Sequence, residues 1–401
     1  MQRTQDASPP VAEFVTLMAL LTSLVALSID AMLPALPMIG GDLGALERND
    51  HQLVISALFL GFAVGQIFYG PVSDSVGRKP MVYGGLLLFL CGCLIAIFAT
   101  DFQTMLFGRL LQGIGVAGPR SVTLALIRDR FEGRAMAQIM SFIMAVFILV
   151  PVIAPAIGQG ILFVAEWRMI FWVFVALGLV SVVWFAVRQP ETLPADRRAP
   201  LSLRKMGTAV RIALGNRAVL GYIVTMGFVF GGFIGYLNSA QQIFQEQYAL
   251  GALFPVTFGV LSLGIGAASI VNAGLVMRLG MRYLTGRALI AVTALSVAYF
   301  AVAAVMDGHP PLWSLMAYCM AVFFAMGLLF GNLNALAMEP LGAIAGVGAA
   351  LIGSVTTFMA AMLGTAVGQA YDGTVLPLVG GFALYGGISV VTMRWADRHH
   401  P

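Results

Sequence analysis

The chain has 401 residues, of which 60% are apolar and only 10% carry a charge. Because a typical soluble domain has about 25% charged residues, this composition excludes a water-soluble fold. The formal net charge is +4, and the basic residues are scattered through short segments, which argues against a nucleic-acid-binding tract.

Twelve apolar segments are long enough to cross about 30 Å of membrane hydrocarbon. The first contains Asp30, and the fourth contains two arginines. The sequence therefore predicts an all-α membrane protein with twelve transmembrane helices. In chain order the segments are about 11–37, 51–73, 81–100, 103–127, 135–165, 169–187, 218–245, 247–277, 288–306, 310–338, 340–371 and 373–393.

The basic residues predict the orientation of these spans. With both termini in the cytoplasm, eighteen of the 22 basic residues lie in cytoplasmic segments, and only Arg48 and Arg168 lie on the far side. An excess of Lys and Arg on the cytoplasmic side is the rule for membrane proteins. We therefore expect both termini in the cytoplasm, with the N-terminal apolar stretch as the first span rather than a cleaved signal peptide.

The longest polar segment, 189–217, separates six spans from six. It has three prolines and a net charge of +4, from six basic and two acidic residues, which suits a flexible or interfacial linker. We predict two six-helix bundles, residues 1–188 and 218–401, as is typical of secondary transporters. A weak internal repeat supports a duplication, since 70–79 and 273–282 occupy the same place in each half.

Two arginines lie within the fourth predicted span. Arg109 and Arg120 are eleven residues apart, three helical turns plus about 20°, so they share one face. Because a charge in lipid costs several kcal/mol, this face must contact protein or a watery cavity. Gln112 shares the face of Arg109 and is predicted to bind solute or the arginine, or simply to pack. Arg120 is expected to hold an acceptor group of a substrate, or to pair with Glu13.

Asp30 is the candidate proton carrier. Burial favours the neutral form of a carboxyl and a nearby guanidinium favours the charged form, so small structural changes can toggle its protonation. Asp30 and Arg109 are predicted at comparable depths, so we expect them to pair. The alternatives are a purely structural ion pair, or an Asp that caps a helix break before Pro34 and Pro37.

The seventh predicted span combines glycines, aromatic rings and amides. Such residues can line an adaptable apolar pocket, and they can equally serve helix packing alone. The candidate substrate-binding residues of this span are Phe233, Tyr236, Asn238 and Gln241.

The segment 70–80, which we call the signature loop, reads Gly-Pro-Val-Ser-Asp-Ser-Val-Gly-Arg-Lys-Pro. It resembles the loop signature Gly-x-x-x-Asp-x-x-Gly-Arg-Lys of the major facilitator superfamily. The resemblance implies the major facilitator fold, with a charge relay between Asp74 and Arg78 that latches one conformation; a plain basic loop is the alternative. The gating residues it implies are Gly70, Asp74, Gly77, Arg78 and Lys79.

Four further segments are similar to the Bcr/CflA branch of drug:proton antiporters. The resemblance implies that Arg109 takes part in proton coupling, and that Pro155 and Gly158 belong to a conformational motif of the fifth span. This motif is imperfect, with Ala154 and Gln159 where glycines are usual. The similar segments are 27–37, 109–113, 128–129 and 154–158.

Several classes of protein are excluded by missing motifs. The sequence has no Gly-x-x-x-x-Gly-Lys phosphate loop, which argues against ATP as the energy source. It shows no nucleophile with a base, which argues against an enzyme. The cysteines Cys91, Cys93 and Cys319 have neither disulfide nor zinc spacing.

We therefore expect proton-coupled efflux of small drugs, amphenicols for example, across a bacterial inner membrane by alternating access. We expect the proton gradient to supply the energy, without a bound cofactor. The expected partners are the drug, protons and the lipid bilayer, with no nucleic acid and no second subunit. Two embedded arginines against one aspartate favour a neutral, zwitterionic or anionic drug over a dication. The alternative is a proton-coupled permease for a small metabolite.

Overall fold

The computed structural model describes residues 9–198 and 200–399. The regular structure of this part of the chain is entirely helical. It contains twelve helical segments that are long and apolar enough to cross a membrane, which confirms the predicted number of spans. The chain divides into two compact units.

The first unit comprises the chain up to Gly44 and Ala57–Leu203. Its first span is broken, because α1 ends at Asp30, a 3-10 turn follows at Leu33–Ala35, and α2 then completes the crossing. Pro34 explains the break, since a proline ring clashes with the carbonyl four residues earlier, here that of Asp30. The helices, of which α3 has its first four residues in the second unit, are α1 Val11–Asp30, α2 Leu36–Asp42, α3 Leu53–Val76, α4 Arg78–Ile97, α5 Phe102–Arg130, α6 Gly133–Leu162 and α7 Arg168–Arg188.

The second unit comprises Ala45–Ser56 and the chain from Arg204 onward. Its first span ends in a π-helical turn, Gln242–Gln247, a local irregularity that is frequent at functional sites. The helices, of which α8 begins one residue before the unit, are α8 Leu203–Gly215, α9 Arg217–Gln241, α10 Phe254–Leu279, α11 Met281–Val305, α12 Leu312–Met338, α13 Ala345–Gln369 and α14 Leu376–Arg398.

The predicted linker 189–217 contains regular structure. A 3-10 turn covers Ala195–Arg197, and α8 follows within a stretch rich in good helix formers. Ala209 and Ala213, one turn apart, are buried, while Arg204 and Arg211 lie on other faces and are exposed, so α8 is amphipathic. The boundary between the two units falls before Arg204, inside this segment.

Candidate functional site

Asp30 is the last residue of α1 and is only 4% exposed. It lies at the break between α1 and α2. A break before Pro34 was part of one alternative considered for this residue. None of the ion pairs in the described part of the chain includes Asp30. A buried carboxylate without a cationic partner is costly when ionised, so this residue is suited to exchanging a proton.

Arg109 of α5 is completely buried. Its Nη1 donates to Gln112 Oε1 at 2.6 Å, and its Nη2 donates to the backbone carbonyl of Ser28 at 2.8 Å. The expected ion pair between Arg109 and Asp30 is therefore not formed in this structure. The break in α1 explains the difference, because the amide of Met32 bonds to Ile29 and leaves the Ser28 carbonyl free for the guanidinium.

Gln112 is completely buried beside Arg109. Its side-chain oxygen accepts from the guanidinium, and its Nε2 donates to Cys93 Sγ of α4 at 2.8 Å. Of the roles considered for Gln112, this geometry supports holding the arginine. Both amide ends are engaged within the protein.

Arg120 packs over the ring of Phe147 in α6, with 5.3 Å from its guanidinium carbon to the ring centroid. The alternative in which Arg120 pairs with Glu13 is wrong. Glu13 instead accepts two bonds from Arg188, at 2.6 and 2.7 Å, and one from Trp184 at 3.0 Å. A planar guanidinium matches both carboxylate oxygens at once, which explains the preference for Arg188.

Three buried hydroxyl groups on the helices that carry these charges escaped the sequence analysis. The side-chain oxygens of Thr22, Ser23 and Thr123 have no hydrogen-bond partner in the described residues. They lie on α1 and α5, the helices that carry Asp30 and Arg120, and Thr123 is one turn from Arg120. These residues could have been found in the sequence as polar side chains within apolar spans.

The signature loop brings its charged residues together. Arg78 donates to Asp74 at 2.5 Å, to Ser73 at 2.8 Å and, through Nε, to Asp129 Oδ2 at 3.0 Å. Gly77 precedes α4 with φ +116°, a conformation that side chains disfavour. Asp129, at the end of α5, completes the network. The segment 128–129 was noted in the sequence, but the contact of Asp129 with Arg78 was not predicted.

The other residues predicted to act in gating lie beside this network or on α6. Ser73 Oγ donates to the Gly70 carbonyl at 2.8 Å, and Lys79 Nζ donates to the Ala186 carbonyl at 3.4 Å. Pro155 and Gly158 lie on α6. At Gly158 the helix touches the chain just after Asp30, since a Cβ there would be 1.9 Å from the Ala31 carbonyl oxygen.

In the second unit, Phe233 and Tyr236 of α9 belong to an aromatic cluster. Their ring centroids are 6.3 Å apart, and Phe323 lies 5.9 Å from Phe233 and 4.6 Å from Tyr236. Tyr236 also stacks on Phe258 at 5.7 Å. These contacts support the packing alternative for both aromatic residues.

Asn238 and Gln241 are buried amides on the same helix. Asn238 donates to Ser56 Oγ and Gln241 to Gln245 Oε1, both at 3.2 Å. The side-chain oxygen of Asn238 accepts no hydrogen bond from the described residues, whereas the Gln241 amide also interacts with the His51 side chain. Of the two amides, Asn238 is therefore the one that keeps an unused acceptor.

The segment 45–56 contributes polar contacts to the second unit that sequence reasoning missed. Asn49 Oδ1 accepts from Gln242 at 2.8 Å, and Asn49 donates to the Tyr371 carbonyl at 2.8 Å. Arg48 pairs with Glu246 at 2.7 Å, and this carboxylate raises the pKa of the arginine. These partners are some 200 to 320 residues apart in the chain, so no local pattern marks them.

Comparison with known proteins places the chain in a family. It matches the Major Facilitator Superfamily over residues 18–368. It is 29% identical over 374 residues to a bicyclomycin resistance protein homolog of Haemophilus influenzae, covering 91% of both chains. It is 30% identical over 218 residues to the multidrug resistance protein MdtL of Salmonella heidelberg, covering 54% of both.

The fold has solved counterparts as well. The structure of the xylose transporter XylE from E. coli superposes with a TM-score of 0.72 at 12% identity, covering 98% of both chains. This likeness concerns the fold alone. Twelve apolar membrane spans in the described residues, the signature loop with its paired charges and the match over most of the sequence lead to one conclusion: the chain belongs to the Major Facilitator Superfamily.

Proposed function

We propose that this transporter exports small drugs across the bacterial inner membrane in exchange for protons, as a monomer with both termini in the cytoplasm. The observation that carries the proposal is Asp30, a buried carboxyl outside every ion pair of the described residues, at the break between α1 and α2. The names of the two relatives, a bicyclomycin resistance protein homolog and a multidrug resistance protein, support drugs as the cargo.

Asp30 exchanges the coupled proton in this scheme. In the outward-open state it takes a proton as drug leaves, and in the inward-open state it releases that proton so that drug binds again. Arg109 bonds to the Ser28 carbonyl, two residues before Asp30, so a movement of α1 at its break changes the distance between guanidinium and carboxyl. That distance sets which protonation state is favoured. The driving force is the proton gradient, without a bound cofactor.

Arg120 defines the class of drug. It belongs to none of the ion pairs of the described residues, and its planar face lies over Phe147. A half-buried cation within a membrane span, without a carboxylate partner among the described residues, favours a ligand with acceptor groups and disfavours a second cation. Neutral, zwitterionic or anionic drugs, amphenicols among them, fit this site better than dications.

A drug panel tests the proposal. Expression in a pump-deficient bacterial strain is expected to raise resistance to amphenicols more than to quaternary ammonium dyes. Arg120→Gln should lower amphenicol resistance about tenfold, the cost of one charge-assisted hydrogen bond. Arg211→Gln, which removes an exposed arginine of α8, is the matched control and should change nothing. Resistance only to dications, unaltered by Arg120→Gln, would contradict this substrate class. Uptake of a metabolite without any drug resistance would favour the alternative function, a proton-coupled permease for a small metabolite.

A further inference from the structure

The N-terminus of α4 lacks a local cap. Its first residues are those of the signature loop, and Gly77, at the capping position, has no side chain to accept a hydrogen bond. A residue with a side chain is disfavoured there because φ is +116°, and the glycine leaves room for the carboxylate of Glu191, whose Oε2 would lie 2.8 Å from a Cβ. The exposed amides of this helix end must find partners elsewhere in the chain.

Glu191, more than a hundred residues later, provides those partners. Its Oε1 accepts from the Arg78 amide and its Oε2 from the Lys79 amide, both at 3.0 Å. The amide of Gly77 bonds to the Ser73 carbonyl at 3.1 Å, and Pro80 has no amide hydrogen. Every donor of the helix start is thus satisfied, and a carboxylate at this end is also favoured by the helix dipole.

The neighbouring residue holds the other side of the charge network. Thr192 Oγ1 donates to Asp129 Oδ2 at 2.8 Å, the same oxygen that accepts from Arg78 Nε at 3.0 Å. Two adjacent residues after α7 therefore contact the backbone that carries Arg78 and the carboxylate that Arg78 binds. All of these groups lie within the first unit.

We propose that Glu191 and Thr192, which we call the linker clasp, are positioning residues of the gate. They set the start of α4 and so direct the Arg78 guanidinium at Asp74 and Asp129. The inference rests on the proposed drug transport and on the gating role of Asp74 and Arg78 that the resemblance of the signature loop implies. The clasp touches neither drug nor proton site, so it acts on the rate of the conformational change rather than on drug affinity.

Two measurements on the full-length protein in lipid nanodiscs and vesicles test the clasp. The Glu191→Gln substitution keeps the shape of the side chain but removes its charge and one of its two hydrogen-bond acceptors. Hydrogen exchange of the Arg78 and Lys79 amides should therefore accelerate about tenfold. The drug transport rate should fall about tenfold, with the half-saturating drug concentration unchanged within about twofold. Thr192→Val should lower the rate in the same way, and Thr192→Ser, which keeps the hydroxyl, should restore it.

Glu132→Gln is the matched control, because Glu132 precedes α6 and makes no capping hydrogen bond. It should leave exchange and transport unchanged. Unaltered exchange in Glu191→Gln would refute the capping role, and faster exchange with a normal transport rate would refute the role in gating. A wild-type protein that moves no drug would contradict the proposed function instead, while the exchange comparison would still decide whether Glu191 holds the loop.

Discussion

An Asp30→Asn variant is expected to lose uphill drug export by about 100-fold or more, the scale of removing a proton-transferring group. Asparagine has nearly the same shape as aspartate but cannot exchange a proton. Since Asp30 is buried outside every ion pair of the described residues, the substitution leaves no cation without its partner. The variant should therefore insert into the membrane in normal amounts.

The measurement is drug accumulation in energised inverted vesicles, corrected for the amount of protein in the membrane. Downhill drug exchange without a proton gradient should persist in Asp30→Asn, which separates lost coupling from lost folding. Asp30→Glu retains a titratable group and should keep part of the uphill activity. Uphill export by Asp30→Asn at the wild-type level would rule out Asp30 as the proton carrier.

A Gly158→Ala variant is expected to destabilise the first unit and impair transport. The added Cβ would lie 1.9 Å from the Ala31 carbonyl oxygen, and backbone cannot move aside as a flexible side chain can. Overpacking of this kind costs about 1–3 kcal/mol. It would also push α6 away from the chain immediately after Asp30, so transport should fall further than stability alone explains.

Gly160→Ala on the same helix is the matched control, because nothing lies within 4 Å of a Cβ at that position. Alanine there should be neutral or slightly stabilising, since it is the better helix former by about 0.5–1 kcal/mol. Thermal unfolding in detergent and drug transport would be compared for the two variants. Equal melting temperatures and equal transport rates would show that α6 does not need its close contact with Ala31.

The spans and the signature loop were predictable because their signals are local. Long apolar stretches predict membrane helices, and Pro34 predicts the break in the first span. The contact between Asp74 and Arg78 was expected from the resemblance of the signature loop, since Gly77 interrupts the helix between these two residues. These features need no knowledge of how the helices pack.

The partners of the two arginines in the fourth span were not predictable, since they depend on tertiary packing. Arg109 binds the Ser28 carbonyl because the break in α1 leaves this acceptor free, a consequence of the actual backbone path. Glu13 pairs with Arg188 rather than Arg120, although both arginines are plausible partners of a carboxylate by residue type. The sequence shows which charges lie in the membrane but leaves their pairing open.

Drug-induced proton movement tests the central claim most directly. Inverted membrane vesicles containing the wild-type protein would be energised to an acidic interior, and the interior pH followed with a dye while drug is added. Proton-coupled export predicts that the interior becomes more alkaline when drug is added, and that Asp30→Asn shows no such change. Drug accumulation by the wild-type protein without any change in interior pH would contradict the account.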